Sequence, residues 1–166
     1  MKRIAYLLIS LFALASLPAA AAKSDPVAEV TTFEKHMQNV YNSDEFIKNP
    51  EMALVYFDSN EAHLYDVMQP GEFSGAEFRK HFIEVGGQFV GKVEFYNMKV
   101  HADDKLAFAS YTQHFVGKDK AGHAFDMTLL TTDGLKKSTG KWRIVHEHVS
   151  MALDDATFMS MFTKKK

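Results

Sequence analysis

The run from Trp142 to Ser150 sets four ionisable side chains, Arg143, His146, Glu147 and His148, into a segment otherwise suited to a buried strand. Ser138-Thr139-Gly140 gives a turn signal before it, and β-branched or aromatic residues fill it. Polar groups withdrawn from water need partners, so His146-Glu147-His148 is either a satisfied network or the wall of a polar pocket. Alternation puts Trp142, Ile144, His146, His148 and Ser150 on one face and Arg143, Val145, Glu147 and Val149 on the other. A single bulge would exchange the two faces.

A His-x-His pair on one strand face is suited to zinc, but such a site needs a third and usually a fourth ligand. The chain has no cysteine, and the spacing of His63, His101 and His123 does not bring them together. No metal or other cofactor is expected. Hydrogen bonding across strands, or a dimer face, would account for His146 and His148.

The strand expected from Leu106 to Val116 alternates Ser110, Thr112 and His114 with Tyr111, Gln113 and Phe115. The first set has the character of a polar wall, and Asp126, Thr128, Leu130 and Thr132 form a second in the next strand. Asp66 and His114 could then supply a base and an acid, because burial raises a carboxyl pKa and a nearby carboxylate raises that of histidine. The plainer alternative has Asp66 capping a turn and His114 satisfied in the core. Glu147 completes the candidate acid–base set.

The elements that must position these groups fall into two blocks. Asp25-Pro26 sets a cap and a first-turn proline, and Val27, Val30, Phe33, Met37 and Val40 recur at helical spacing. A shorter helix is expected from Asn49-Pro50 through Phe57, a short strand over 62–68 stopped by Pro70-Gly71, and a third helix from Ser74-Gly75 to Gly86-Gly87. Alternating runs follow at 92–101, 106–116, 124–137 and 142–150, separated by short polar turns of hairpin type. A last amphipathic stretch covers 154–162. Helices first and strands second predict an α+β domain with an antiparallel meander and helices on one face. A curved sheet closed by three helices forms a cone, and cavities between layers are where small ligands bind.

Lys2 and Arg3, the apolar stretch from Ile4 to Leu17, and Ala20-Ala21-Ala22 follow the secretory pattern, so residues 1–22 are expected to be a cleaved signal peptide. The apolar stretch is shorter than the roughly 20 residues of a membrane span, and no stable membrane anchor is expected. Residues 23–166 then make one domain, periplasmic or secreted, ending in the basic tail Lys164-Lys165-Lys166. Its formal charge is −4 once Lys2 and Arg3 are removed from the 19 basic residues set against 21 acidic ones. Nucleic acid is an unsuitable partner, since phosphate binding needs a basic face.

The helix start Gly75-Ala76-Glu77-Phe78-Arg79-Lys80-His81-Phe82, the Tyr65-Asp66 pair, Thr132-Asp133-Gly134-Leu135-Lys136-Lys137 and the Lys141 to Ser150 run together resemble the SnoaL-like group of the nuclear transport factor 2 superfamily. The resemblance covers roughly residues 25–154 and implies a cystatin-like cone, a curved antiparallel sheet with helices on its concave face. That superfamily includes ketosteroid isomerase, polyketide cyclases, dehydratases, an epoxide hydrolase and the association domain of calmodulin-dependent kinase II, so fold alone does not choose an activity. Likeness to the association domain implies that Asp66, Arg79, Thr112 and Glu147 face the pocket and that His146 and His148 face away.

The expectation is therefore an exported homodimer that binds a small, partly apolar organic molecule through Asp66, Arg79, Thr112, His114, Thr128 and Glu147. Two alternatives stand beside it. One is a cofactor-independent isomerase, cyclase or hydrolase using Asp66, His114 and Glu147, and the other a non-catalytic association module.

Overall fold

The structure is a computed structural model that describes residues 25–67 and 71–162. The expected signal peptide, the Met68-to-Pro70 end of the first strand and its turn, and the basic tail lie outside the described residues.

Helix α1 spans Pro26–Tyr41, and the Asp25 carboxylate caps it by accepting from the Val27 and Ala28 amides. Its fully buried stripe is Val30, Glu34 and Met37, so a carboxyl sits in the apolar row. Ser43 caps a short helix α2, Asp44–Lys48, which lies outside the elements expected from the sequence. The segment expected as a second α-helix is instead a 3-10 helix, Pro50–Tyr56, with no side-chain cap at Asn49.

Strands β1, His63–Tyr65, and β2, Glu72–Ser74, form a small hairpin, and α3 follows over Gly75–Gly86. The four long strands are β3 Phe89–Ala102, β4 Leu106–Asp119, β5 Ala124–Ser138 and β6 Lys141–Met151, followed by a short helix α4, Asp155–Ser160. Thr139 and Gly140, both at positive φ, make the tight β5–β6 turn. The sheet order is β2-β1-β6-β5-β4-β3. The long strands pair antiparallel as expected, but β1 runs parallel to β6, with Leu64 opposite Glu147. A three-residue strand carries too little pattern to announce that pairing.

Two bulges shape the curved, unclosed sheet. One interrupts the β3–β4 register between Tyr96 and Lys99, with Asn97 at φ 55°. The other leaves Val145 unpaired, because Gly134 opposes His146 while Leu135 opposes Ile144. That extra residue changes which face the strand presents. Trp142 and Ile144 enter the core before it, and Glu147 and Val149 face inward after it.

Gly91 and Gly117 are cross-strand partners where β3 and β4 approach closely, and a Cβ on either would stand 2.3 Å from a carbonyl oxygen of the other strand. The free edge of β3 is held by α1. Asn42 donates to the Val93 carbonyl at 2.7 Å and accepts from the Val93 amide at 2.8 Å, while Gln38 accepts from the Phe95 amide at 2.6 Å. α1, the 3-10 helix and α3 cover one end of the concave face, burying Met37, Leu54, Phe57, Phe78, Leu135 and Ile144. Among the described residues no helix is long and apolar enough to cross a membrane.

Candidate functional site

Beyond this core the concave face encloses a cavity of about 450 Å³, within the size range of small-molecule sites. Its wall is mainly aromatic and aliphatic, with Phe46, Phe82, Phe89, Phe115 and Phe125 among the contributors. The phenylalanines line the space without filling it. Asp66, His81, Tyr111, Gln113 and Glu147 are polar groups set into that wall, and Asp119 and His123 are hydrogen-bonded to each other at its more exposed rim.

Asp66 follows β1 and accepts from His81 Nε2 at 2.8 Å, with both side chains largely buried. His81 comes from α3, in the same stripe as Phe78, Phe82 and Val85, and its ring stacks on Phe73 at 3.9 Å between centroids. The stack and the hydrogen bond together fix the imidazole plane. The pair is thus a positioned carboxylate–histidine couple whose members come from separate elements.

Glu147 projects from β6 after the bulge and lies opposite Asp133 of β5. The residue retains some exposure because it lines the cavity, yet its carboxyl is surrounded by protein atoms. Burial, then the nearby Asp133 and Asp66 carboxylates, push its pKa well above the ordinary carboxyl value. Behind this wall Asp133 is fully buried and accepts from the Tyr111 hydroxyl at 2.9 Å. Burial raises Asp133 to about 7, against the lowering effect of hydrogen bonds from Tyr111 and Glu34.

Glu34 reaches Asp133 from α1. Both Glu34 oxygens and Asp133 Oδ1 lack an ordinary donor, which is the expected geometry when two carboxyls meet and one proton serves both. Burial first, and then the charges of Asp133 and Glu147, raise Glu34 well above its usual value. Tyr41 and Tyr111 are also raised well above 10, by burial and by these carboxylates, and stay neutral phenols.

Of the residues singled out in the sequence, Asp66 and Glu147 meet at this cavity. The others do not. His114 pairs with Asp126 at 2.7 Å on the outer face of the sheet, Thr112 and Thr128 share that face, and the cavity is lined by the alternate set Tyr111, Gln113 and Phe115. The expected polar walls are thus outward-facing, because aromatic residues take the inner positions. Arg79 bonds Glu51 at the surface at 3.2 Å. His146 and His148 also lie outside the cavity, both against the Tyr65 ring. Among the described residues no group of His, Cys, Asp and Glu is arranged to hold a metal ion.

Three residues of the site, Glu34, His81 and Asp133, are not among those the sequence assigns to it, although each leaves a signal. Glu34 falls between Val30 and Met37 at helical spacing, His81 sits within the apolar stripe of α3, and Asp133 continues the alternation of Leu129, Thr131 and Leu135. A polar residue in an apolar row is the informative exception.

A curved sheet under three helical segments, with a polar-spotted cavity between the layers, defines an α+β cone of the nuclear transport factor 2-like, or cystatin-like, type. The family model described as a SnoaL-like domain matches residues 68–154, and the chain belongs to that family. No curated protein matches the sequence. Solved structures with this fold include a provisionally assigned calcium/calmodulin dependent protein kinase II association domain from Xanthomonas campestris. It has a TM-score of 0.67 and 19% identity, over 82% of this chain and 94% of that one. An NTF2-like protein of unknown function from Pseudomonas putida has a TM-score of 0.63 and 20% identity, over 79% and 90%. A provisionally assigned dehydratase of the same family from Streptomyces avermitilis has a TM-score of 0.64 and 13% identity, over 78% and 98%.

Proposed function

We propose that this SnoaL-like domain binds a small, partly apolar organic molecule in the cone cavity, with Glu147 and the Asp66–His81 couple as its polar contacts. The observation that carries this reading is a largely apolar hollow of about 450 Å³ that has these ionisable groups set in its wall. A buried carboxyl whose pKa is raised and a histidine oriented by a carboxylate are also the parts that general acid–base chemistry uses. Turnover of the bound molecule is thus the natural extension, with Glu147 giving or taking a proton. The test is a thermal-shift screen of carboxylates, phenols, amines and fused-ring compounds, repeated with Glu147→Gln and Asp66→Asn. A hit that wild type and both variants bind equally would remove these residues from the site.

A second reading is self-association through the outer sheet face. In its favour, Phe108, Leu130 and Tyr96 are exposed there, in cross-strand rows with His146 and Thr112. The similar association-domain structure is, by its description, a domain that associates. Light scattering of wild type and of Phe108→Lys checks it: a monomer in both would end the idea. The secretory pattern of residues 1–22 supports a domain acting in the periplasm or outside the cell, which fractionation of cells expressing the full chain would test.

A further inference from the structure

The ionisable groups on the cavity wall are one-sided. Among the described lining residues, Asp66, Asp119 and Glu147 are acidic, His81 and His123 are each already joined to one of those carboxylates, and no lysine or arginine is present. Glu147 is the odd one out. Neither a hydrogen bond nor an ion pair holds its carboxyl among the described residues, and two further carboxyls, fully buried with oxygens lacking donors, stand directly behind it in Asp133 and Glu34. A negative charge at this place meets repulsion from several sides and attraction from none.

The rest of the wall supplies a complementary property. Tyr111, whose hydroxyl bonds Asp133 next to Glu147, brings an aromatic ring to this end of the cavity, and Phe82, Phe89, Phe115 and Phe125 make the wall beyond it apolar. Aromatic rings attract cations through their quadrupole, more strongly when water is excluded.

Resting on the reading that this cavity is the binding site, we propose that its ligand is an organic cation, a protonated amine or quaternary ammonium carried on an apolar body. The positive group sits at Glu147 on the Tyr111 side of the cavity, and the apolar body extends from there along the apolar wall. An anionic molecule would add to the repulsion there, and a neutral one would gain no charge attraction from this acidic lining. The groups facing Glu147 are Glu34 and Tyr41 of α1, Tyr111 of β4, Asp133 of β5, and Asp66 with its partner His81. None of them is a fixed cation. Seating a cation makes the ionised form of Glu147 favourable, so binding releases a proton to buffer while the ligand keeps its own charge.

The test is calorimetric titration of the protein with three probes of one skeleton: phenylpropylammonium, phenylpropanol and phenylpropionate. The expected result is that the ammonium binds about tenfold or more tightly than the alcohol at about pH 8 and less tightly at about pH 6, with a heat that varies with buffer ionisation enthalpy. Glu147→Gln, checked for folding by circular dichroism, should lose the preference for the cation. The three wild-type titrations decide the matter even if that variant does not fold. Equal or tighter binding of the alcohol or the carboxylate, with no proton released, would overturn the cation assignment and leave the cavity as a binding site. If none of the three probes binds, both readings fall together.

Discussion

Asp133 and Glu147 stand opposite each other on the inner face of β5 and β6, two carboxyls in register with a third, Glu34, closing on them from α1. Like charges so placed do not all ionise, and the structure keeps protons on this cluster that an unfolded chain would release.

That retention fixes the sign of a pH effect. Glu34, Asp133 and Glu147 have folded values above their unfolded ones, with Asp133 at about 7, so their stabilising contribution is fully present below the unfolded values near 4 and is lost as pH rises through the folded ones. Asp58, Asp103 and Asp154 are lowered by backbone amides, so their contribution is present above their unfolded values and lost only in stronger acid. The melting temperature should therefore be highest at about pH 5 and fall toward pH 8. A flat calorimetric profile between those points would contradict the assignment.

Glu34→Gln should remove most of that slope. The amide keeps the shape and a donor toward Asp133, without a carboxyl that competes for the same proton. We expect a gain of about 1–2 kcal/mol at alkaline pH and little change at about pH 5, measured by urea unfolding at both.

His81→Ala should cost about 2–4 kcal/mol, because Asp66 loses this 2.8 Å partner and Phe73 loses the ring stacked on it. His81→Phe restores the ring but not the hydrogen bond and should recover part of the loss. If the two variants unfold alike, the stacking contribution is refuted.

Gly117→Ala probes the close approach of β3 and β4. The added methyl would stand 2.3 Å from the Val90 carbonyl oxygen, 2.6 Å from Gly91 Cα and 2.9 Å from the Phe125 ring. Backbone cannot yield as a flexible side chain does, so a loss of about 1–3 kcal/mol in chemical denaturation is expected, together with weaker ligand binding as Phe125 moves.

Alternation and helical spacing made α1, α3 and the four long strands legible, because each is long enough for its period to stand clear of noise. Periodicity separates two faces but does not say which is inside, and His114, Thr112 and Thr128 stand on the outer one. Their alternates Tyr111, Phe115 and Phe125 carried the better clue, being the larger apolar groups. The position of Glu147 depended on Val145, an unpaired residue with an ordinary strand side chain that nothing in the local pattern marks as a bulge. Asp66 meets His81 because α3, entered directly from β2, packs back against the β1–β2 hairpin, a contact set by tertiary packing.

The grip of Asn42 and Gln38 on β3 bears on how the molecule can be built into anything larger. Their side-chain amides occupy the outward N–H and C=O of Val93 and the N–H of Phe95, so a visiting strand finds much of the ladder there already taken. Growth by backbone annealing is blocked along that stretch, and protomers meeting on this side must do so through side chains.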